Sequence, residues 1–201
     1  MTNTMQIENE HSPSDMQLLQ IRKANPLQCD CSPLCRRNAE GRKLLICTGA
    51  PLSKQRDGRM AEQVQRYRGK KIICGGTTAQ ILSREWQREL TVDLDSAGEL
   101  PPISHIEGID LVTEGVITLG SLRRILSQKQ HTPAEQKGAA WRIYEMIRRA
   151  EQIDLLVGTR VNPAHQRASL AGRLENRQHL LTDMAHILKE QHGKTVRTRL
   201  L

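Results

Sequence analysis

From Arg42 onward, short aliphatic runs alternate with longer amphipathic stretches, and this alternation constrains the fold more than any other feature of the chain. A run of four or five apolar residues is too short for a core helix, but it is what a strand buried on both faces requires. The runs predict strands at Lys43 to Cys47, Lys71 to Cys74, Glu89 to Val92, Ile109 to Val112, Ile153 to Val157 and Thr195 to Leu200. Between them, apolar residues at helical spacing predict helices at Ser53 to Tyr67, Thr78 to Gln87, Leu119 to Gln128, Pro133 to Glu151 and Leu174 to Gln191. Leu174, Leu181, Met184, Ile187 and Leu188 form the core-facing stripe of the last of these, and Gly193 stops it. Strands separated by helices make βαβ units around a parallel sheet with both faces covered. The expected fold is therefore α/β: a single Rossmann-like domain over residues 41–201, with a mostly parallel sheet flanked by helices and the basic last strand at an edge.

Residues 1–40 carry Pro13, Pro26 and Pro33 and show no sustained periodicity beyond a short helix at Asp15 to Lys23, so they are expected to form a flexible N-terminal extension. Within it, Cys29, Cys31 and Cys35 have a CxCxxxC spacing. Three thiols could hold a metal with one further ligand, but the spacing matches no CxxC pair, and free tail thiols are the plainer reading. Cys47 and Cys74 end apolar runs, where a small buried residue fits, and no structural disulfide is expected. The N-terminus has no apolar signal segment and no apolar run reaches the roughly 18 residues of a membrane span, so a cytoplasmic protein without a membrane partner is expected.

In an open parallel sheet, ligands sit outside the carboxyl ends of the strands, so the residues following each strand are the informative ones. After Ile72-Ile73-Cys74 comes Gly75-Gly76-Thr77-Thr78, and a helical segment starts at once. Two glycines let backbone approach a ligand, the free N–H groups of the helix point outward, and two hydroxyls add donors: together they make an anion cradle. No Lys follows the glycines as in a phosphate-binding P-loop, and the GxGxxG spacing is absent. Gly49 permits a sharp turn after the first strand, and Glu114 sits on the ligand side of the strand that ends at Val112, whereas Glu107 precedes that strand. Thr159, Arg160, Asn162 and His165 follow the strand Ile153 to Val157 and bring together a hydroxyl, a guanidinium, an amide and an imidazole suited to phosphate.

The three segments Gly75-Gly76-Thr77-Thr78-Ala79, Glu107 to Gly115, and Gly158-Thr159 with Asn162-Pro163-Ala164-His165 together resemble the C-terminal region of certain bacterial phosphatases of the sporulation stage II protein E type. The resemblance runs from about Arg42 to Arg199 in the same order. In those longer proteins a metal-dependent serine/threonine phosphatase domain precedes this region, and its aspartates hold the metals. Here about 40 residues precede Arg42 and no paired-Asp arrangement with Gly replaces that domain, so phosphatase activity is not expected. A regulatory module of this kind would pass its result to a partner, such as a separately encoded phosphatase.

The charge balance, 30 Lys and Arg against 22 Asp and Glu for a formal net +8, favours acidic partners. Two Trp, two Tyr and no Phe leave few rings to stack on bases, so a nucleic-acid partner is not expected. Two readings remain open at this level. One is a ligand-binding or regulatory module that takes a phosphorylated small molecule or nucleotide at Gly49, Gly75, Gly76, Thr77, Thr78, Glu114, Thr159, Asn162 and His165. The other is an enzyme on a phosphorylated substrate, with Glu114 or His165 as acid or base. The sequence identifies no catalytic set, cofactor or metal.

Overall fold

The computed structural model describes residues 42–93, 103–160 and 170–201, all within one compact unit, Arg37–Leu201. Among them the chain runs β1 (Lys43–Thr48), α1 (Asp57–Arg66, entered through a 3-10 turn at Lys54–Arg56), β2 (Lys70–Cys74), α2 (Gly76–Trp86) and β3 (Thr91–Asp93). It continues through β4 (Ile103–His105), β5 (Leu111–Thr113), α3 (Val116–Ser127), α4 (Gly138–Arg149), β6 (Gln152–Val157), α5 (Leu170–Glu190) and β7 (Thr195–Leu200). The seven strands form one sheet in the order β3-β4-β5-β2-β1-β6-β7. The five strands β5 to β7 in that order run parallel, and β4 is antiparallel to both its neighbours. The expected α/β fold, with helices on both sheet faces and the last strand at an edge, is what the chain adopts.

The strand runs explain the two-sided core. Alternate residues of one strand point to opposite faces, so Leu44, Ile46, Ile72 and Cys74 pack with Leu119, Leu122, Ile143, Ile147, Met184 and Leu188 of α3, α4 and α5. Leu45, Cys47 and Ile73 pack on the other face with Met60, Val64, Ile81 and Leu82 of α1 and α2. Of the expected stripe on the last helix, Leu181, Met184, Ile187 and Leu188 are buried, while the side chain of Leu174 lies outside the described residues.

Several boundaries differ from expectation for local reasons. Ile103-Ser104-His105, outside every predicted strand, forms β4, too short and too near Pro101-Pro102 to show a strand pattern. The strand expected from Ile109 begins at Leu111, because Ile109 N–H closes a turn onto the Ile106 carbonyl and the Asp110 carboxylate accepts the Lys71 N–H. The helix expected from Pro133 begins at Gly138. Thr132 and Glu135 close a single turn on each other, and Gly138 at φ +81° breaks the run before α4. The helix expected from Leu119 begins three residues earlier, at Val116, which bears directly on the site. No helix among the described residues is long and apolar enough to cross a membrane.

Candidate functional site

Because β5, β2, β1 and β6 are parallel neighbours, the segments after them emerge at one edge of the sheet. Gly49, Gly75, Glu114 and Thr159 therefore share that edge. Within it the strand order opens two crevices, each between neighbouring strands whose following helices leave toward opposite faces, the place where α/β sheets bind ligands. Between β2 and β5, α2 departs to one face and α3 to the other; between β1 and β6, α1 and α5 diverge in the same way.

The first crevice is built from two glycines in contact. Gly75 N–H donates to the Thr113 carbonyl at 2.8 Å, and a Cβ on Gly115 would lie 3.4 Å from the Gly75 Cα. Gly75 has φ +125° and ψ 127°, a conformation open to glycine, and it is the N-cap residue of α2 as Gly115 is of α3. The first helical bonds run from Ala79 N–H to the Gly75 carbonyl and from Leu119 N–H to the Gly115 carbonyl. The N–H groups of Gly76, Thr77 and Thr78, and of Val116, Ile117 and Thr118, thus lie in first turns that lack carbonyl partners, and no side chain caps either helix. Gly76 and Thr77 are exposed, Thr78 is buried, and a Cβ at Gly76 would meet nothing within 4 Å. The φ > 0 demand of this turn falls on Gly75; Gly76 leaves open space above the helix start. Thr118, 3% exposed in the first turn of α3, has a buried hydroxyl oxygen with no hydrogen-bond partner. Glu114 is exposed beside Gly115. Cys74 precedes the turn fully buried, and burial pushes its thiol up to about 12 against the lowering effect of the Thr113 hydroxyl, so it is no thiolate nucleophile.

The second crevice is closed by packing. Gly49 has φ +82°, and a Cβ there would stand 2.9 Å from the Arg177 guanidinium. A side chain on Gly158 would collide with the Gly49 and Ala50 carbonyls. Arg177, from α5, donates from Nη2 to the Gly158 carbonyl at 3.0 Å, while its buried Nε has no partner. Burial lowers the guanidinium's pKa from its ordinary value, and among the described residues no carboxylate offsets its charge. The Thr159 hydroxyl is committed to the Leu201 carbonyl at 2.7 Å. Arg160 turns to buried Asp57, whose second oxygen is held by Arg84, so a three-member ion cluster pins the loop after β6 to the start of α1 and leaves Asp57 no free oxygen for acid–base work.

The structure thus brings Gly75, Gly76, Thr77, Thr78 and Glu114 together at one crevice and Gly49 and Thr159 at the other. Asn162, His165 and the Cys29, Cys31 and Cys35 cluster lie outside the described residues. Gly115, Thr118 and Arg177 escaped the sequence reading. The signal for Gly115 and Thr118 was present, since Gly115-Val116-Ile117-Thr118 repeats the Gly-x-x-Thr frame of Gly75 to Thr78, and nothing local marks Arg177. Among the described residues no group of three or more His, Cys, Asp or Glu side chains could hold a metal. Fold and edge define a mostly parallel α/β domain whose strand-end loops gather at one edge of the sheet. Compared with known proteins, the chain matches no family model, no curated protein and no solved structure.

Proposed function

We propose that this chain is a ligand-binding or regulatory α/β module that holds the anionic group of a phosphorylated small molecule or nucleotide in the crevice between β2 and β5. The observation that carries the reading is the pair of uncapped helix starts, α2 and α3, springing from touching glycines, with the unpartnered Thr118 hydroxyl buried in the second. Helix N-termini carry partial positive charge and unfilled donors, and six such N–H groups around one crevice suit the oxygens of a phosphate. The resemblance to the region appended to sporulation-type phosphatases supports a regulatory output toward a serine/threonine phosphatase partner. An enzyme acting on a phosphorylated substrate is the second reading, favoured by exposed Glu114 beside the crevice as a candidate base. Native mass spectrometry of freshly purified protein tests the first. A copurifying phosphorylated molecule, returned unchanged after incubation, supports the module; its conversion supports the enzyme. A chain that binds neither inorganic phosphate nor any nucleotide in calorimetric titration overturns both.

A further inference from the structure

Away from the loop edge, α1 packs over β1 and β2, and among the described residues no helix covers the same face of β6 and β7 beside it. Register puts Leu45, Asp154 and Arg197 in one row across β1, β6 and β7, and Cys47, Leu156 and Arg199 in the next. A cavity of about 410 Å³ lies along this face, within the size range of small-molecule sites. Five of its lining residues are cationic: Lys43, Arg66, Arg68, Arg197 and Arg199. Asp154 is the single carboxylate among them, and one of its oxygens already accepts from the Tyr67 hydroxyl at 2.8 Å and the Gln152 amide at 2.7 Å. Arg66 is paired with Glu62, whereas Lys43, Arg197 and Arg199 enter no ion pair among the described residues. Burial, and then Asp154, push the Tyr67 hydroxyl's pKa upward, so it adds no negative charge to the groove.

A basic edge strand is commonly a guard against sheet-to-sheet pairing. That role needs charge along β7 alone, whereas here cations converge from β1, the end of α1 and β7 on one concavity. Arg197 and Arg199, two residues apart on a strand, leave the sheet on the same face from backbone positions about 6.6 Å apart.

We propose that this groove is a second anion site, separate from the loop edge, and that it takes a small polyanion carrying at least two linked phosphates. Tyr67 is the one aromatic ring in the lining and its hydroxyl is held by Asp154, which leaves little for stacking bases and favours a small polyphosphate over a nucleic-acid strand.

Calorimetric titration of the full chain with inorganic tripolyphosphate tests this, using two variants that move affinity in opposite directions. Arg197→Thr/Arg199→Thr is expected to weaken binding at least tenfold while circular dichroism stays native, since both side chains are on the open strand. Asp154→Asn keeps an acceptor for Tyr67 but removes the opposing charge, and it is expected to strengthen binding about fivefold. Circular dichroism of Asp154→Asn should likewise stay native, so that the gain is read on the folded chain. Each of these titrations is made in the Gly76→Val background, in which the loop-edge crevice no longer contributes, so failure of one site is read apart from failure of the other. The proposal is overturned if the double Arg variant binds tripolyphosphate like the parent, if Asp154→Asn fails to tighten it, or if a single-stranded oligonucleotide binds the groove more tightly than tripolyphosphate.

Discussion

Gly76 separates folding from binding at the loop edge. It is the first residue of α2, its φ is not positive, and a Cβ would meet no atom within 4 Å. Gly76→Ala should therefore stabilise the chain by about 0.5 to 1 kcal/mol through helix propensity and lost unfolded-state freedom, a rise of about 1 to 4 °C in Tm for a domain of this size. Gly76→Val gives back most of that gain because of its branched side chain, leaving stability near the parent. Its two methyl groups, however, stand over the helix start where the anion would rest. A hydrogen bond to a charged group contributes about 1.5 to 3 kcal/mol, so loss of a single N–H contact weakens binding about tenfold or more, and loss of two more than a hundredfold. Gly75→Ala behaves differently. At φ +125° and ψ 127° an L-residue is strained by about 1 to 3 kcal/mol, so Tm should fall by several degrees. The assay is calorimetric titration with inorganic pyrophosphate in the Arg197→Thr/Arg199→Thr background, so that the sheet-face groove does not contribute, alongside thermal melts. A Gly76→Val protein with native Tm and parental pyrophosphate affinity would refute the reasoning, because the turn would then be only a helix start.

Arg177→Met keeps the aliphatic stem and removes a desolvated cation that has no carboxylate partner among the described residues, so Tm should hold or rise, and a fall of more than about 1 kcal/mol in denaturant unfolding would show that the Gly158 hydrogen bond dominates. Asp57→Ala leaves Arg160 with no carboxylate in a mostly buried site and should cost about 3 kcal/mol in urea melts, with exposed Arg84 contributing little of it. The thiols of Cys47 and Cys74, both raised in the folded state by burial, bind their protons more tightly there than in the unfolded chain. Their contribution is complete below the unfolded value near pH 9 and declines as pH rises toward the folded value of about 12 for Cys74, at about 1.4 kcal/mol per pH unit per thiol, and flat stability between pH 9 and 10.5 would contradict it.

How much of this was legible in the sequence follows from the range of each signal. Leu44 to Cys47, Ile72 to Cys74 and Leu155 to Val157 are buried on both faces, and a continuous aliphatic run declares that locally. Gly75 to Thr78 announced itself because two glycines and two threonines between a strand and a helix serve one turn. The start of α3 did not: Gly115 is its N-cap without Ser, Thr, Asp or Asn, and Val116-Ile117 are β-branched residues that resist helix by local preference. Val116 and Ile117 stay exposed, and burial of Thr118 and Leu119 just after them decided the matter. The meeting of Gly75 with Gly115 depends on strand order. The β3–β4 hairpin takes the outer positions and leaves β5 beside β2, which no local pattern encodes. The sheet-face groove is likewise a register effect, since Asp154 and Arg197 are 43 residues apart and meet only because β6 and β7 pair in parallel.

The central claim concerns backbone N–H groups, and amide-resolved NMR reads them directly. Titrating the full chain with inorganic phosphate should shift the amide signals of Gly76, Thr77, Thr78, Val116, Ile117 and Thr118 together along one saturable curve, with Gly76→Val abolishing the shifts across both helix starts. Phosphate that moves only the signals of β6 and β7, or moves α2 without α3, would contradict a shared anion cradle between β2 and β5.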